Sequence, residues 1–590
     1  MEKWFIKNKG IDHRKIANDL NISNFISKLL VNRDIKDYKL IDSFINPQLD
    51  KLHKPSLMKD LSKGVDIIRD KILNKKKIRI VGDFDVDGVI SVYLLYKGIK
   101  KCGGIVDYII PDRIEDGYGI NKEIIQIAKD DGIDTIITCD NGIAAIEEVK
   151  FAKELGLTVI ITDHHDLPFV TSEKGEKEYI NLEADAVINP KQKSCSYPFK
   201  SLCGAGIAFK LIQELYMASG IQPELTYELL EYTAIATVCD VVDLVDENRI
   251  IVKEGLELLN KTENIGLKAL IKETGLEDKD LGVYHLGFGI GPSINATGRL
   301  DSAMKALELL LSEDPKEASI LAKELRGLNE ERKQMTQDGV ETIIEAIENS
   351  DLKEDKVIVI YEPSIHESIA GIIAGRIKER YHRPTIVLTE GKDGVKGSGR
   401  SIESYNMFEE LTSSKDILNR FGGHPMAAGL TLDKENIDNL RNRLNQVTRL
   451  TEEDLIPRVY IDMQLPLEYL SFELLDELKV LEPYGKGNSK PIFGEKELRL
   501  RKGAVLGVNK NVLKLNLQSK ENKSIEGIFF GDIPGFEESI KSIYGEDELN
   551  KLYNGIDNRI EIDILYYPTI NEYMGRSTLQ ANIQSYRMRL

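Results

Sequence analysis

The sequence predicts an α/β protein of several domains: a parallel-sheet domain, a long helix leading to a second, smaller α/β domain, and a small β-barrel at the C-terminal end. Three observations carry this. The length of 590 residues is several times that of a typical domain. Five short β-branched runs between residues 77 and 188 are separated by helix-sized segments, the pattern of a parallel sheet. Beyond residue 455 the pattern changes to short alternating runs with little helix, which fits a barrel.

Residues 1–50 read as short helices, with turn signals at Asn21, Asn24 and Pro47. The strand-like runs follow: Lys77-Ile78-Arg79-Ile80-Val81, residues 104–110, residues 134–138, residues 158–162 and Ala186-Val187-Ile188. After the first come Asp83, Asp85 and Asp87, after the second Asp112, after the third Asp140, after the fourth Asp163, His164 and His165, and after the fifth Asn189. Ionisable groups thus gather at strand C-termini, the edge where open α/β sheets bind ligands. Residues 204–280 read as helical, with an apolar stretch over 233–243 that ends in acid. Ser312 as N-cap, Pro315, and apolar positions from Ile320 to Ile347 at near-helical spacing predict one or two long connector helices up to Asn349. A second α/β pattern begins at Lys356-Val357-Ile358-Val359-Ile360 and continues through Thr385-Ile386-Val387-Leu388 to about 450. The barrel runs are 499–503, 511–517, 527–530, 559–566 and 578–583.

Lys and Arg number 79 against 97 Asp and Glu, a net charge of -18, so the chain as a whole does not attract polyanions and any nucleic-acid binding must be local. From residue 455 onward the balance is 18 against 20, which permits a basic groove there. A content of 42% hydrophobic and 30% charged residues excludes a disordered or collagen-like chain. No apolar stretch approaches the ~20 residues of a membrane span, and the start MEKWFIKNKG lacks a secretory signal. A soluble cytoplasmic protein is therefore expected. The five cysteines form no CxxC and no even framework, so neither a zinc knuckle nor a disulfide scaffold is indicated.

Asp83-Phe84-Asp85-Val86-Asp87-Gly88 is the sharpest local signal and admits three readings. An EF-hand loop wants Glu at position 12, which is Leu94, and follows a helix rather than a strand. A haloacid-dehalogenase-like phosphatase would use Asp85 as nucleophile and Asp87 as general acid, but has no need of the His164-His165 pair. The third reading is metal ligation, because three acids in five residues repel one another unless a cation sits among them. Mixed carboxylate and imidazole ligation suits Mn²⁺ or a similar ion, and Asp85, Asp87, Asp140, His164 and Asp240 would furnish a dinuclear set.

These residues resemble the four motifs of the DHH phosphoesterases: Asp83 to Gly88, Asp140-Asn141-Gly142, Asp163-His164-His165 and Val238-Cys239-Asp240. Within that family the resemblance is to the RecJ branch of single-strand-specific DNA exonucleases. It is carried by Leu202-Cys203-Gly204-Ala205-Gly206, by residues 291–300, by Gly397-Ser398-Gly399-Arg400-Ser401, by Phe421-Gly422-Gly423-His424 and by Ala427-Ala428-Gly429. Near the end, residues 483–488 and 571–576 resemble the edges of that branch's OB-fold. The resemblance implies an N-terminal helical segment (1–50), a DHH catalytic domain (51–250), a helical region with connector helix (251–350), a DHHA1 substrate-binding domain (351–450) and an OB-fold that binds nucleic acid (455–590).

It further implies two Mn²⁺ or Mg²⁺ ions on Asp85, Asp87, Asp140, His164 and Asp240, with Asp140 bridging and Asp83 ligating or just behind. His165 would contact the scissile phosphate, Asp163 would orient the imidazoles, and His424 would approach from the second domain. Arg113, Ser398 and Arg400 would hold a 5′ phosphate, with Asn295, Arg299, Gly422 and Gly423 also facing substrate. The implied activity is 5′-to-3′ hydrolysis of single-stranded DNA to 5′-mononucleotides by two-metal-ion chemistry, in DNA repair and recombination. The protein would act as a monomer, with a single-strand DNA-binding protein and a DNA helicase as partners. Three positions depart from the family: Asn141 stands where Cys is common, Ser293 where Arg is frequent, and Thr297 where Ala is usual. Losing an arginine at Ser293 would weaken a phosphate contact. Two rival functions are a DHH phosphodiesterase for short or cyclic nucleotides, which would not need residues 455–590, and a metal-free binding scaffold, which would not need the ligand set.

Overall fold

The computed structural model describes residues 2–171, 177–392, 394–507, 509–573 and 575–589. The chain divides into two compact units, Leu49–Pro457 and a smaller one formed by Met1–Gln48 together with Arg458–Leu590.

In the larger unit β1 (Lys77–Val81), β2 (Ile105–Ile109), β3 (Thr135–Cys139), β4 (Thr158–Thr162) and β5 (Ala186–Ile188) form an all-parallel sheet in the order β2-β1-β3-β4-β5. The runs are continuously apolar because both faces are covered. Ile78, Ile80, Ile137 and Ile160 enter one core, while Val81, Ile136, Val159 and Ile161 enter another. Strand order reverses between β1 and β3, so the loops leaving them diverge and open a crevice at the C-terminal edge.

Helices α1 (Val86–Lys101), α2 (Gly204–Ala218), α3 (Leu230–Cys239) and α4 (Gly291–Leu300) surround this edge. Then α5 (Pro315–Glu348) runs as one helix of 34 residues, about 50 Å long. Its first turns place Ala318, Ala322 and Leu325 in the core of the first sheet, and its last turns place Ile343 and Ile347 in that of the second. The cap is Asp314, whose carboxylate accepts from Lys316 N, and not Ser312 as expected; Ser312 Oγ instead bonds Asp314 O and Glu317. Pro315 at the first helical position leaves the preceding residue, Asp314, to cap.

The second sheet is mixed. Strands β6 (Ile358–Tyr361), β7 (Thr385–Gly391), β8 (Gly394–Arg400), β9 (Arg420–His424) and β10 (Ala427–Leu432) lie in the order β9-β10-β8-β7-β6, and β6 and β7 alone run parallel. Val395, Leu430 and Leu432 fill the core on one face. On the other, α6 (Ala370–Tyr381) packs over Ile358, Ile360 and Val387.

In the smaller unit the strands Phe493–Leu506, Val512–Gln518, Ser524–Phe529, Arg576–Met588 and Glu561–Tyr573 close into a five-stranded barrel through pairing of the first with the last. The expectation of little helix beyond 455 is overturned by Phe472–Leu478, Ile533–Tyr544 and Glu546–Asn554. Asp532 caps the second of these, and Phe536 and Ile540 are its buried face, a helical period of four that a search for alternation passes over. Lys3–Ile6 pairs in parallel with Arg458–Ile461, and the N-terminal helices bury Ile16, Leu29, Leu30 and Ile41 in the barrel's own core. Among the described residues no helix is long and apolar enough to cross a membrane.

Candidate active site

The β1–α1 loop and the first turn of α1 bring Asp83, Asp85 and Asp87 to the crevice. Asp85 caps α1, its Oδ1 accepting from Gly88 N at 3.1 Å, and a Cβ on Gly88 would sit 2.3 Å from Asp83 O, so the turn admits no side chain there. Helix α4 backs the loop: Val86 N donates to Asn295 Oδ1 at 3.1 Å, and Gly298 lies against Phe84 O. Asp87 faces the start of α2 and accepts from Gly204 N at 2.6 Å and Ala205 N at 2.8 Å, where the helix dipole favours a carboxylate.

Asp140, immediately after β3, has φ +59°, and Val241, immediately after Asp240, has φ +56°. Left-handed backbone at these residues, above all at a β-branched valine, costs on the order of 1–3 kcal/mol each and is retained where geometry demands it. The cluster it builds is tight. His164 Nε2 lies 3.1 Å from Asp140 Oδ1, 3.7 Å from Asp87 Oδ2 and 3.7 Å from Asp240 Oδ2. Donor atoms of Asp83, Asp85 and Asp140, of Asp87, His164 and Asp240, and of Asp140, His164 and His165 fall in three groups, each within 4.8 Å.

Burial, with Asp85 beside it, holds Asp83 well above the ordinary carboxylate range; burial with Asp87, Asp85 and Asp83 does the same to Asp140. Burial also raises Asp87, although His164 opposes the shift, and burial lowers His164. Asp83 Oδ1, Asp140 Oδ1 and His164 Nε2 are buried and have no hydrogen-bond partner among the described residues. Atoms of this kind are costly unless a cation meets them, and a set of carboxylates with one or two imidazoles fits two divalent ions.

His165 is positioned differently. Its Nδ1 lies 2.7 Å from Asp163 Oδ1, and Asp163 also accepts from His165 N at 3.0 Å and Ile143 N at 2.9 Å. Burial alone would lower its pKa, but the Asp163 hydrogen bond and charge push it up to about 9. Burial would likewise raise Asp163, which His165 holds low. Tyr118, which sequence reasoning missed, donates to Asp140 O at 3.1 Å and lies 3.4 Å from His165 Nδ1. Its only signal was Gly117 and Gly119, both with positive φ.

Arg113 lies over the Phe84 ring at 4.8 Å and lines a cavity of about 370 Å³ with Ser398, Gly422 and Gly429. Along β8 the even-numbered residues face this cavity, and the odd-numbered Val395, Gly397 and Gly399 face the core. Register then sets Arg400, Ala427 and His424 in one row across the sheet and Ser398, Gly429 and Gly422 in the next. A Cβ on Gly371, at the start of α6, would lie 2.7 Å from Arg400 Nη2 and 3.2 Å from Ser398 Oγ, so glycine leaves that cradle open. Arg299 Nη1 donates to Ser368 O at 2.6 Å, tying α4 to the loop before α6. Burial, then Arg113 and Arg332, lower its pKa to about 10, and burial with Arg113 lowers Arg400. Crowded guanidiniums mark a place prepared for an anion. Gly423 has φ +150°. His424 lies outside the carboxylate cluster, on the Arg400 row, with Nδ1 accepting from Met426 N at 3.3 Å.

The departures are absorbed locally. Asn141 is a strut, donating to Val81 O and Cys139 O and accepting from Ile120 N. Ser293 is fully buried against Gly289 O and Asn329, and Thr297 bonds Ile294 O. Of the barrel aromatics, Tyr484 and Phe529 are core, while Phe530 is 62% and Tyr573 67% exposed. Met574, within the 571–576 motif, lies outside the described residues.

Comparison with known proteins agrees with this geometry. Residues 77–237 match the DHH family, N-terminal domain, residues 354–450 the DHHA1 domain, and residues 461–585 the RecJ OB domain. The chain is 38% identical over 568 residues to the single-stranded-DNA-specific exonuclease RecJ of Bacillus subtilis, covering 94% of this chain and 69% of that one. Its fold is similar to the crystal structure of RecJ from Thermus thermophilus in complex with Mn²⁺, at 26% identity and TM-score 0.80, over 99% of this chain and 79% of that one. The Mg²⁺ complex of the same protein superposes at 25% identity and TM-score 0.76, over 99% and 78%.

Proposed function

The chain belongs to the RecJ family of single-stranded-DNA-specific exonucleases, and on that premise we propose that it hydrolyses single-stranded DNA from the 5′ end, releasing 5′-mononucleotides in DNA repair and recombination. The observation that carries the reading is the crowding of carboxylate and imidazole donors at the β1/β3 crevice, with three buried atoms left for a cation. Asp85, Asp87, Asp140, His164 and Asp240 would hold two ions, Mn²⁺ or Mg²⁺, with Asp83 beside them. Bound there, the ions supply Lewis acidity to the scissile phosphate and make water a better nucleophile.

The chain's own residues do the rest. His165, oriented by Asp163, stabilises charge on the phosphate undergoing attack, and His424 approaches it from β9. Arg113, Ser398 and Arg400 hold the 5′-terminal phosphate, with Gly422 and Gly423 offering bare backbone, which fixes polarity and product size. Asn295 and Arg299 brace the β1–α1 loop and the second sheet against each other. In the barrel, Phe530 and Tyr573 offer faces on which bases stack. We place the enzyme in the cytoplasm as a monomer, receiving strands bared by a helicase and coated by a single-strand DNA-binding protein.

The intact donor set speaks against a metal-free scaffold, and the barrel speaks against a phosphodiesterase for small nucleotides. Digestion of end-labelled single-stranded and duplex DNA and RNA, with Mn²⁺ and Mg²⁺ in turn, tests the proposal. We expect mononucleotides from the 5′ end of single-stranded DNA, and none with EDTA. Equal activity on duplex ends, or turnover that survives chelation, would overturn it.

A further inference from the structure

We infer that the phosphate face carries a second anionic subsite beyond the one for a 5′-terminal monophosphate, so that the enzyme accepts strands whose 5′ end is a triphosphate. The inference rests on the reading of Arg113, Ser398 and Arg400 given above.

Sheet register is the first argument. A third row, Lys396, Thr431 and Arg420, follows the Ser398, Gly429 and Gly422 row on the cavity side, with Lys396 opposite Thr431 and Thr431 opposite Arg420. Strand geometry places it roughly 6–7 Å past Ser398, in line with Arg400 and Ser398 and on the side away from His424. The two glycines of the Ser398 row leave it open beside the serine: a Cβ on Gly422 or Gly429 would meet no atom within 4 Å. An anionic chain can therefore lie flat from the Ser398 row to the Lys396 row.

Size and chemistry agree. The cavity of about 370 Å³ is lined by Arg113 and Ser398 at one end and by Lys396, Arg420 and Thr431 at the other. At a share of ~30 Å³ per water it has room for roughly a dozen waters, far more than one phosphate displaces. Lys396 is set in the wall by Glu367 at 2.8 Å, and Arg113, Lys396 and Arg420 against Glu367 leave two net positive charges. The ring of Phe421, between Arg420 and Gly422, packs toward the core of the opposite face, so the far end offers cations and a hydroxyl rather than a base-stacking surface. That is a site for added phosphates.

The bond broken is unchanged. Water adds to the first internal phosphorus, the 3′ oxygen of the terminal nucleotide leaves and takes a proton, and the product is a nucleoside 5′-triphosphate plus a strand with a new 5′ monophosphate.

The test compares initial rates on 3′-labelled single strands bearing a 5′ monophosphate or a 5′ triphosphate, with Mn²⁺, and identifies the first nucleotide released by mass. We expect the triphosphate strand to be cut at a comparable rate and the first product to keep all three phosphates. Lys396→Met and Arg420→Ala, checked for unchanged melting, should each lower the triphosphate-to-monophosphate rate ratio about tenfold, as for one charge-assisted contact. A triphosphate strand left uncut, cut only after losing pyrophosphate, or a ratio unmoved in both variants would overturn the inference. Failure to cut either strand would instead overturn the exonuclease reading beneath it.

Discussion

The C-terminal edge of the first sheet and the open face of the second are opposites built by different means. At the edge, acids and imidazoles sit on loops and helix ends, buried or half-buried apart from the exposed His165, in three groups each within 4.8 Å, and two of the backbones that place them are left-handed. On the face, cations and a hydroxyl sit on the strands themselves, every second residue, with glycines between. Gathering like charge at strand ends thus costs backbone strain and electrostatic repulsion, which a bound cation must offset. Spreading positive charge along a strand requires only register.

The contrast breaks most visibly at Asp140. Asp140→Asn should cost roughly 10³-fold or more in turnover, by analogy with removal of a key electrostatic group. In EDTA the same variant should melt higher by about 1 °C, the shift expected for ~1 kcal/mol of relieved repulsion when several hundred residues unfold together. A lower melting temperature in calorimetry would mean that the edge is not strained by its charges.

Next in size is the response to metal. Mn²⁺ at ~100-fold over its dissociation constant should stabilise the wild type by about 2.7 kcal/mol. Asp87→Asn should lose most of that gain in a thermal-shift titration, whereas Arg400→Ala should keep it. If Arg400→Ala also blunts the response, edge and face are one site rather than two.

Arg400→Ala should lower kcat/KM on a 5′-phosphorylated strand roughly 10- to 100-fold, the worth of a charge-assisted contact of ~1.5–3 kcal/mol. On a 5′-hydroxyl strand it should change little, and parallel assays on the two ends decide the matter. The smallest effect separates two neighbouring glycines. Gly422→Ala meets open space and should shift stability by no more than ~0.5 kcal/mol. At Gly423, with φ +150° and Ala427 O 2.3 Å from a Cβ, alanine should cost about 1 kcal/mol or more, read from urea midpoints.

Much of the edge was legible because it is local. Asp83 to Asp87, Asp140 and His164 follow three successive β-branched runs, and a parallel sheet sends all those ends the same way, so the sequence alone groups them. The face was less legible. Ser398 and Arg400 stood out through a family likeness, but Lys396 and Arg420 did not, since their partnership depends on which strand pairs with which. The barrel helices were missed because strand alternation was the pattern sought, and the pairing of Lys3–Ile6 with Arg458–Ile461 joins segments that share no local signal.

By itself, then, the sequence determined the parallel sheet, the connector helix and the acids that end each strand, because periodicity and strand polarity are properties of short segments. Only the tertiary structure decided that the chain's first residues complete the unit formed by its last, that α2 presents its N-terminus to Asp87, and that Lys396, Thr431 and Arg420 form one row. Those relations join residues far apart in the chain, and they are fixed by packing and register, which no window along the sequence contains.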